Sequence, residues 1–481
     1  MSSKRNFEVI IGCEIHCQLL TNTKAFCACE NRYGGMPNTR VCPVCLGLPG
    51  AMPRVSSGYV QMGAVAGIAL NCKIAKFTKF DRKHYFYPDL VKGYQVTQYD
   101  LPLCYDGFVD ISPDRRIRIE RIHLEEDVGK SLHLEGKNSY IDFNRSGTPL
   151  IEIVTKPDMR TPEEAALFMQ TVQEILRYVE VTAGNLEEGN MRCDANINLK
   201  IFEDGKEFRT PISEIKNLNS FKSIRDACSY EIERQLKEFD EDRQLFEEGY
   251  KRTLGWDEAE GKTVLQRTKN SIVDYRFVVE PDIKPFSVSD QLIEEATKRV
   301  GELPEAKRSR LKKQFALTDF DAQTLTSSKR LVEWFEEAAA KSKSPKKVAN
   351  WILAEILAVL NERNITIDKI GFSPKDLSDL VNLIEDGVIT SKQAKDVFGE
   401  MLSTSKNPVK IVEEKNLAAT SNTDEIRKIV IEVIEENPGP ISELKAGKTN
   451  VQGWLMGQVM KKSGGKANPS IAAKILSECL K

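Results

Sequence analysis

Four cysteines stand in two close pairs, Cys27 with Cys29 and Cys42 with Cys45, and twelve residues separate the pairs. Thiolates at this spacing can close a tetrahedral site for zinc. Because four cysteine ligands leave no open coordination position, such a zinc would hold a loop in place and would not catalyse. Four buried free thiols and a redox-active pair are the alternative interpretations of the same cysteines.

Carboxylates and an imidazole form a second candidate site. Glu14 and His16 follow the apolar run Val9–Ile11, and strand alternation places both side chains on one face. Oxygen-rich sets suit Mg²⁺, which keeps several waters and bridges to phosphate oxygens. Further acidic groups lie downstream at Glu125–Asp127, Glu187–Glu188 and Asp194. From spacing alone, such groups are more often runs of surface charge, because convergence on one metal depends on tertiary structure.

No standard phosphate-binding loop accompanies these residues. The segment Gly255–Thr263 has five residues between its glycines where a Walker A loop has four, and no GxGxxG motif occurs. A nucleotide would therefore need a site built in another way. The run Phe80–Pro88 places cations beside aromatic side chains, which could hold phosphates and stack a base. Strand packing with a solvated edge would explain the same run.

The elements that must position these residues change in character along the chain. Residues 7–290 mix short β-rich runs with Gly and Pro turns and a few helices, the clearest of which begins at Thr161. After Leu292 the apolar spacing becomes helical, and a second composition shift follows Ser405–Pro408. We therefore predict an α+β fold with three domains, spanning residues 1–292, 293–406 and 407–481.

The overall charge is nearly balanced, with 69 Lys and Arg residues against 71 Asp and Glu residues. No global field therefore draws the protein toward nucleic acid or a membrane surface, and any contact with nucleic acid must be local. The polar N-terminus and the brief apolar run after it predict neither a signal peptide nor a membrane span. We therefore expect a cytoplasmic protein without membrane association.

The segment from Gly439 to the C-terminus differs from the rest in charge. It has two acidic residues, Glu443 and Glu478, against seven lysines: Lys445, Lys448, Lys461, Lys462, Lys466, Lys474 and Lys481. A basic patch on small helices can contact an RNA backbone. A solvated helical surface is the alternative interpretation.

Long motifs follow one another in a fixed order along the whole chain. They are Gly12–His16, Cys42–Gly50, Phe80–Pro88, His123–Lys130, Asp142–Glu152, Met191–Asn196, Glu214–Ser220, Asp274–Phe277, Gly453–Gln458 and Pro469–Lys481. Together they resemble the family of B subunits of tRNA-dependent amidotransferases, and a match of this many long motifs is highly specific.

The resemblance implies an activity and an architecture. The activity is ATP-dependent amidation of Glu-tRNA(Gln) or Asp-tRNA(Asn) through an acyl phosphate, with ammonia delivered by a partner amidase. The implied assembly is a heterotrimer with an amidase A subunit and a small C subunit, and this chain shows no glutaminase motif of its own. The implied fold is a cradle domain related to glutamine synthetase, followed by a helical domain and a small helical tail that touches the tRNA.

The resemblance also implies roles for individual residues. Lys83 and Lys130 are expected to bind the phosphates of ATP and to stabilise the negative charge that develops in catalysis, in which Glu126 also takes part. Zinc at the four paired cysteines is implied as well. The expected Mg²⁺ ligands are Glu14, His16, Glu126, Glu188 and Asp194.

Two other functional classes fit part of the sequence. A noncatalytic, zinc-containing RNA-binding protein would keep the cysteines and the basic tail, but it would not need Glu14, His16 and Glu126 together. An ATP-dependent amide ligase for a free metabolite would keep the acidic residues, but it would not need the basic tail. The acidic set and the tail therefore separate the three classes.

Overall fold

The computed structural model describes residues 6–133, 138–248, 250–269, 275–417, 423–445, 450–464, 467 and 469–480. The chain forms two compact units, Met1–Leu303 and Pro304–Lys481. The first unit contains the described strands, and the second is helical. The predicted α+β class is confirmed. The three predicted domains and the relation of the first to glutamine synthetase stay predictions.

The first unit combines many strands with four α-helices in its described part. Its helices are α1 (Ser57–Ala69), α2 (Pro162–Tyr178), α3 (Phe221–Asp242) and α4 (Asp290–Val300). Its strands are β1 (Asn6–Gln18), β2 (Lys73–Ile74), β3 (Phe77–Thr78), β4 (Asp81–His84), β5 (Tyr94–Thr97), β6 (Cys104–Ser112), β7 (Arg115–Glu126), β8 (Lys130–His133), β9 (Ser139–Asp142), β10 (Pro149–Thr155), β11 (Met191–Glu203), β12 (Lys206–Arg209), β13 (Ile212–Leu218), β14 (Lys251–Asp257), β15 (Lys262–Lys269), β16 (Val278–Val279) and β17 (Phe286–Ser287).

One ten-stranded sheet dominates the described part of this unit. Its order is β15-β14-β13-β11-β1-β10-β7-β6-β2, and β12 pairs with β11 beside this path. The pairing is antiparallel except between β13 and β14. Smaller sheets are formed by β16-β4-β5, by β17-β3 and by β8-β9. The N-terminal strand β1 thus lies inside the large sheet, with β10 on one side and β11 on the other.

The two faces of the central strands differ in polarity. In β11 every second side chain from Met191 to Ile201 is buried, and those between are partly exposed. The buried residues Leu199 and Ile201 pack with Phe239 of α3, so this helix covers the apolar face. Because side chains alternate along a strand, Asp194 and its polar neighbours lie on the opposite face. The large sheet therefore has a polar face opposite the apolar face that α3 covers.

The helix predicted to begin at Thr161 is confirmed. The Thr161 hydroxyl accepts a hydrogen bond of 3.1 Å from the amide of Glu164, and Pro162 occupies the first turn. Both features suit a helix start, where backbone amides lack partners within the helix. Phe168 and Val172 of this helix are fully buried. The helix thus joins α3 in packing beneath the large sheet.

The second unit is built from helices alone in its described residues. The α-helices are α5 (Pro304–Phe315), α6 (Asp319–Leu325), α7 (Lys329–Lys341), α8 (Pro345–Trp351), α9 (Leu357–Arg363), α10 (Pro374–Glu385), α11 (Ser391–Thr404), α12 (Pro408–Glu414), α13 (Thr423–Glu436), α14 (Pro438–Lys445), α15 (Asn450–Lys462) and α16 (Pro469–Cys479). A π-helical segment, Ile352–Ile356, joins α8 to α9, and Ile367–Lys369 form a 3₁₀ helix. Val430 of α13, Leu455 of α15 and Leu476 of α16 belong to one buried cluster. None of the helices described in either unit is long and apolar enough to cross a lipid bilayer.

Candidate active site

The polar face of the large sheet carries the predicted pair on β1. Glu14 lies opposite Asp194 of β11, and His16 lies opposite Arg192 of β11 and Glu152 of β10. The alternation of side chains along β1 therefore places Glu14 and His16 on the same face, as the sequence predicts. Their neighbours across the sheet extend this row of ionisable groups in both directions.

The first group of possible metal ligands is His16, Glu125 and Glu152. One ligand atom from each lies within 4.8 Å of the other two. His16 Nε2 is 3.5 Å from Glu152 Oε2, and both carboxylates are buried. Sequence reasoning missed Glu152. A usable signal was present, since Glu152 is the one charged residue in the strand Pro149–Thr155 and stands between the apolar runs Leu150–Ile151 and Ile153–Val154.

A second histidine balances the charge of this group. His123 Nε2 lies 3.2 Å from Glu152 Oε2 and 3.4 Å from Glu125 Oε2. Burial alone lowers the pKa of His123, but the two carboxylates outweigh it and raise the pKa from 6.5 to about 9. Burial favours protonation of Glu152, yet His123 and His16 hold its pKa well below the usual range. These opposite shifts favour ionised Glu125 and Glu152 side chains with protonated His123 as their counter-ion.

The second group of possible metal ligands is Glu14, Asp194 and Glu214. Again one oxygen from each lies within 4.8 Å of the other two. Lys216 Nζ is 2.5 Å from Asp194 Oδ2, while Lys251 Nζ is 3.2 Å from Glu214 Oε1 and 3.9 Å from Glu14 Oε1. Sequence reasoning missed Glu214 as a ligand, although this residue opens the motif Glu214–Ser220. Its place on β13, next to β11, brings it to the group.

A cavity of about 300 Å³ lies over this face, and its wall combines anions with cations. Lys83, Arg192 and Lys216 line it together with His16 and Asp194. Burial lowers the pKa of Lys83, but the nearby carboxylates raise it more, so the lysine is charged. Acids that can bind metal and bases that can bind phosphate therefore surround one space.

The structure does not bring four of the predicted site residues into this cavity: Glu14, Glu126, Lys130 and Glu188. Glu14 lines a separate cavity of about 290 Å³ together with Lys251. Glu126 follows Glu125 on β7, and strand alternation turns its side chain to the other side. There it accepts hydrogen bonds from Lys92 and, at 2.9 Å, from the amide of Val96. Lys130 is exposed at the start of β8, and Glu188 is exposed in a turn. The predicted ligand Glu126 instead lines a smaller cavity of about 90 Å³.

The aromatic run within residues 80–88 divides between the core, the cavity and the surface. Phe80 is fully buried, and Tyr85 lines the larger cavity beside Lys83. Lys83 Nζ also lies 5.0 Å from the ring centroid of Tyr275. Phe86 and Tyr87 are exposed. The run thus supplies a core residue as well as groups at the cavity, and its binding of phosphates or a base stays a prediction.

The four paired cysteines converge in space. The Sγ atoms of Cys27, Cys29, Cys42 and Cys45 all lie within 4.8 Å of one another, and no disulfide joins them. The Cys27 thiol donates to Cys45, which lowers the pKa of Cys45 to about 5. Mainly through burial, the pKa of Cys29 is raised to about 11. Such proximity of four sulfurs is what a tetrahedral thiolate site requires.

The cysteine loop rests on a segment that also reaches the larger cavity. The Ser146 hydroxyl donates a 3.0 Å hydrogen bond to the carbonyl of Cys45, and the amide of Ala25 donates to the carbonyl of Gly147 at 2.9 Å. The amide of Gly147 in turn donates to the carbonyl of Asp127, whose carboxylate lines the cavity. The conformation of the cysteine loop is therefore connected, through hydrogen bonds, to the position of Asp127 in the cavity wall.

The basic tail is described only in part. Lys461 and Lys474 are exposed, and Lys462 forms ion pairs with Glu432 and Glu436 at 2.9 and 2.6 Å. Other lysines of the predicted patch lie outside the described residues, or have side chains that do: Lys445, Lys448, Lys466 and Lys481.

Comparison with known proteins gives matches along nearly the whole chain. Residues 9–294 match a family model described as the GatB/GatE catalytic domain, and residues 333–480 match one described as the GatB domain. A protein of Treponema denticola is 62% identical over 98% of each chain. One of Treponema pallidum is 56% identical over 98% of this chain and 94% of its own. One of Borrelia turicatae is 48% identical over 99% of each chain. All three are named as the B subunit of an aspartyl/glutamyl-tRNA(Asn/Gln) amidotransferase.

Proposed function

The chain belongs to the GatB family of amidotransferase B subunits, and from this we propose that it amidates amino acids misacylated onto tRNA. The proposed substrates are Glu-tRNA(Gln), Asp-tRNA(Asn) or both. ATP converts the side-chain carboxylate to an acyl phosphate, and ammonia then displaces phosphate. An amidase A subunit supplies the ammonia from glutamine, and a small C subunit completes the assembly. The observation that carries the proposal is the cavity lined by both acids and bases.

The cavity meets the main chemical demand of this reaction. A carboxylate is a poor electrophile, so activation places several negative oxygens, from ATP and from the substrate, in one small space. Lys83, Arg192 and Lys216 offer three cations to those oxygens. Positioning and charge neutralisation provide most of the catalysis in phosphoryl transfer. Lys130, exposed at the start of β8, would act only on a ligand that extends beyond the cavity.

The two groups of ligands fit divalent cations of the Mg²⁺ type. Glu14, Asp194 and Glu214 offer only oxygen, and Asn196 donates to Glu14 while its own carbonyl oxygen has no hydrogen-bond partner among the described residues. His16, Glu125 and Glu152 would hold a second ion, for which imidazole is a better ligand to Mn²⁺ than to Mg²⁺. An ion held by these residues would supply positive charge next to the phosphates. The sheet fixes these six side chains on rigid strands, which keeps them oriented.

The cysteine site fits zinc. Four sulfurs within 4.8 Å of one another can supply a complete tetrahedral shell. A closed shell of this kind stabilises a fold and carries out no step of the reaction. We therefore assign zinc the role of ordering the loop Cys27–Cys45, whose Cys45 carbonyl accepts the hydrogen bond from Ser146.

Binding of tRNA is proposed for the tail domain, residues 407–481, as a separate function. Exposed Lys461 and Lys474 support an electrostatic contact with the RNA backbone. A noncatalytic RNA-binding function for the whole chain would not explain the two groups of possible metal ligands or the cations of the cavity. The amidation function explains both, and it is therefore the better supported of the two hypotheses.

Transamidation by the reconstituted complex tests the proposal. The chain is combined with its A and C partners, and conversion of Glu-tRNA(Gln) to Gln-tRNA(Gln) is followed with either glutamine or ammonium chloride as the nitrogen donor. Amidation should need ATP with both donors, and Lys83→Met should abolish both. Amidation with ammonium that persists undiminished in Lys83→Met would contradict a reaction site in this cavity.

A further inference from the structure

A buried lysine lies against the cysteine site, in the middle of the loop structure. Lys24 is 0% exposed and is among the largest fully buried side chains of the described chain. Its Nζ donates a 2.8 Å hydrogen bond to the carbonyl of Arg40 and lies 3.7 Å from Cys45 Sγ. Within the described residues it forms no ion pair with an Asp or Glu side chain.

Such a position is unfavourable unless a negative charge is close. Removing an ammonium group from water costs far more than a single carbonyl hydrogen bond returns, so buried lysines are nearly always paired with an anion. The sulfur of Cys45 is the candidate anion in contact with Nζ. Four neutral thiols would leave the ammonium group of Lys24 without a counter-ion. Four thiolates around one divalent metal have a formal charge of −2, which would supply the negative charge that the ammonium group needs.

Lys24 also connects the two cysteine pairs. Its backbone amide donates a 2.9 Å hydrogen bond to the carbonyl of Cys29, in the first pair. Its side chain reaches Cys45, in the second pair, which also accepts a 3.2 Å hydrogen bond from the amide of Cys42. A single residue therefore contacts both halves of the site, and it presents its charge to one sulfur.

We infer that Lys24 is the internal counter-ion of a metal-loaded four-cysteine site, where it stabilises the anionic cluster and orients Cys45. This inference rests on the proposed zinc site. Residues outside the ligand shell that pair with metal ligands commonly change metal affinity by about 10- to 100-fold. Lys24 is accordingly a positioning residue for the metal and takes no part in amidation.

Zinc retention by the full chain tests the role. Lys24→Met keeps the length of the side chain and removes the charge, and Lys24→Arg keeps the charge. Transfer of zinc to 4-(2-pyridylazo)resorcinol should show a 10- to 100-fold weaker site in Lys24→Met, with Lys24→Arg closer to the unmutated chain. Lys92→Met is the matched control, because Lys92 is another largely buried lysine, on the small cavity that Cys27 and Cys45 line. An equal loss in both methionine variants would overturn the specific role.

A double-mutant cycle separates contact with Cys45 from general damage to the loop. In a Cys45→Ser background, Lys24→Met should weaken zinc binding by less than about twofold, because the contact it removes is already lost. If Lys24→Met weakens binding equally in both backgrounds, Lys24 does not act through Cys45.

Two measurements on the unmutated chain keep the test decisive. Its zinc content is determined first. Absence of zinc removes the site and the inference together, whereas full zinc with unchanged retention in Lys24→Met removes the inference alone.

If Lys24→Met does not fold, the test uses lysine acetylation of the unmutated chain instead of the variant. Lys24 should be protected with zinc bound and modified after zinc is stripped, and equal protection in both states would overturn the counter-ion role.

Discussion

His16 and Glu152 face each other across the β1–β10 pair, with Nε2 and Oε2 3.5 Å apart. Glu152 also contacts His123 on β7, so its carboxylate links three adjacent strands. A glutamate in the middle of an apolar strand is costly to bury unless cations or metal surround it. This position makes Glu152 a candidate functional group, and we test it by replacement.

Glu152→Gln should lower the kcat of transamidation by about 100-fold or more, because it removes a charged ligand without changing side-chain size. Acyl phosphate formation, measured by ATP hydrolysis stimulated by charged tRNA, should fall equally. Glu120→Gln, on the exposed part of β7, is the control and should stay near normal. Normal activity of Glu152→Gln would exclude this carboxylate as a ligand.

Replacement of His16 should change the preference between metal ions. The loss of an imidazole ligand weakens a site for Mn²⁺ more than one for Mg²⁺, which prefers oxygen. His16→Ala should therefore lower activity with both ions and lower the ratio of Mn²⁺- to Mg²⁺-supported rates. If His16→Ala transamidates normally with Mg²⁺, the histidine is structural.

The stability of the metal-free chain should depend on His123. Its folded pKa is raised from 6.5 to about 9, so the stabilisation by protonation is complete below pH 6.5 and is lost as pH rises to about 9. The lowered pKa of Glu152 affects stability only in acid: its stabilisation is present above pH 4.5 and is lost as pH falls below that value. Urea unfolding with chelator should therefore show falling stability from pH 6.5 to 9, and His123→Asn should flatten that fall.

Elemental analysis should find one zinc per chain after purification without chelator. Extended X-ray absorption fine structure at the zinc edge should give Zn–S distances of about 2.3 Å. The double variant Cys42→Ser with Cys45→Ser should lose the metal, whereas Cys72→Ser, at a cysteine outside the group, should retain it. Full zinc in the double variant would rule out the site.

Charge reversal in the tail should affect tRNA binding and leave the chemistry intact. Lys461→Glu with Lys474→Glu should raise the KM for tRNA several-fold, flatten its salt dependence and leave kcat at saturation nearly unchanged. Lys395→Glu, outside the tail, is the control. If a truncation is used instead, it should remove residues 418–481. A deletion that begins at residue 439 would keep α13 but remove α15 and α16, against which Val430 of α13 packs. Unchanged tRNA affinity in the double variant would contradict the role.

Local patterns predicted much of this site, and strand order supplied the rest. Period-two alternation was enough to place Glu14 and His16 on one face, and close spacing was enough to group the four cysteines. The choice between Glu125 and Glu126 depends on which face of β7 meets the cavity, and two adjacent acids give no local signal of that. Glu214 reaches Glu14 only because β11 lies between their strands. Pairings of this kind depend on contacts between distant parts of the sequence.

The inner position of β1 has a consequence for biosynthesis. This strand ends at Gln18, but its neighbours begin only at Pro149 and Met191. At about 5–20 residues per second, a ribosome needs on the order of ten seconds or more to supply the first partner. During that time both edges of Glu14–Gln18 lack partners, and the apolar run Val9–Ile11 waits longer still, because it pairs with β11. Unpaired edges of this kind can pair with other nascent chains. The strand that carries Glu14 and His16 is thus synthesised well before either of its neighbours and is completed late. A chain truncated before Met191 would leave its edge toward β11 permanently unpaired.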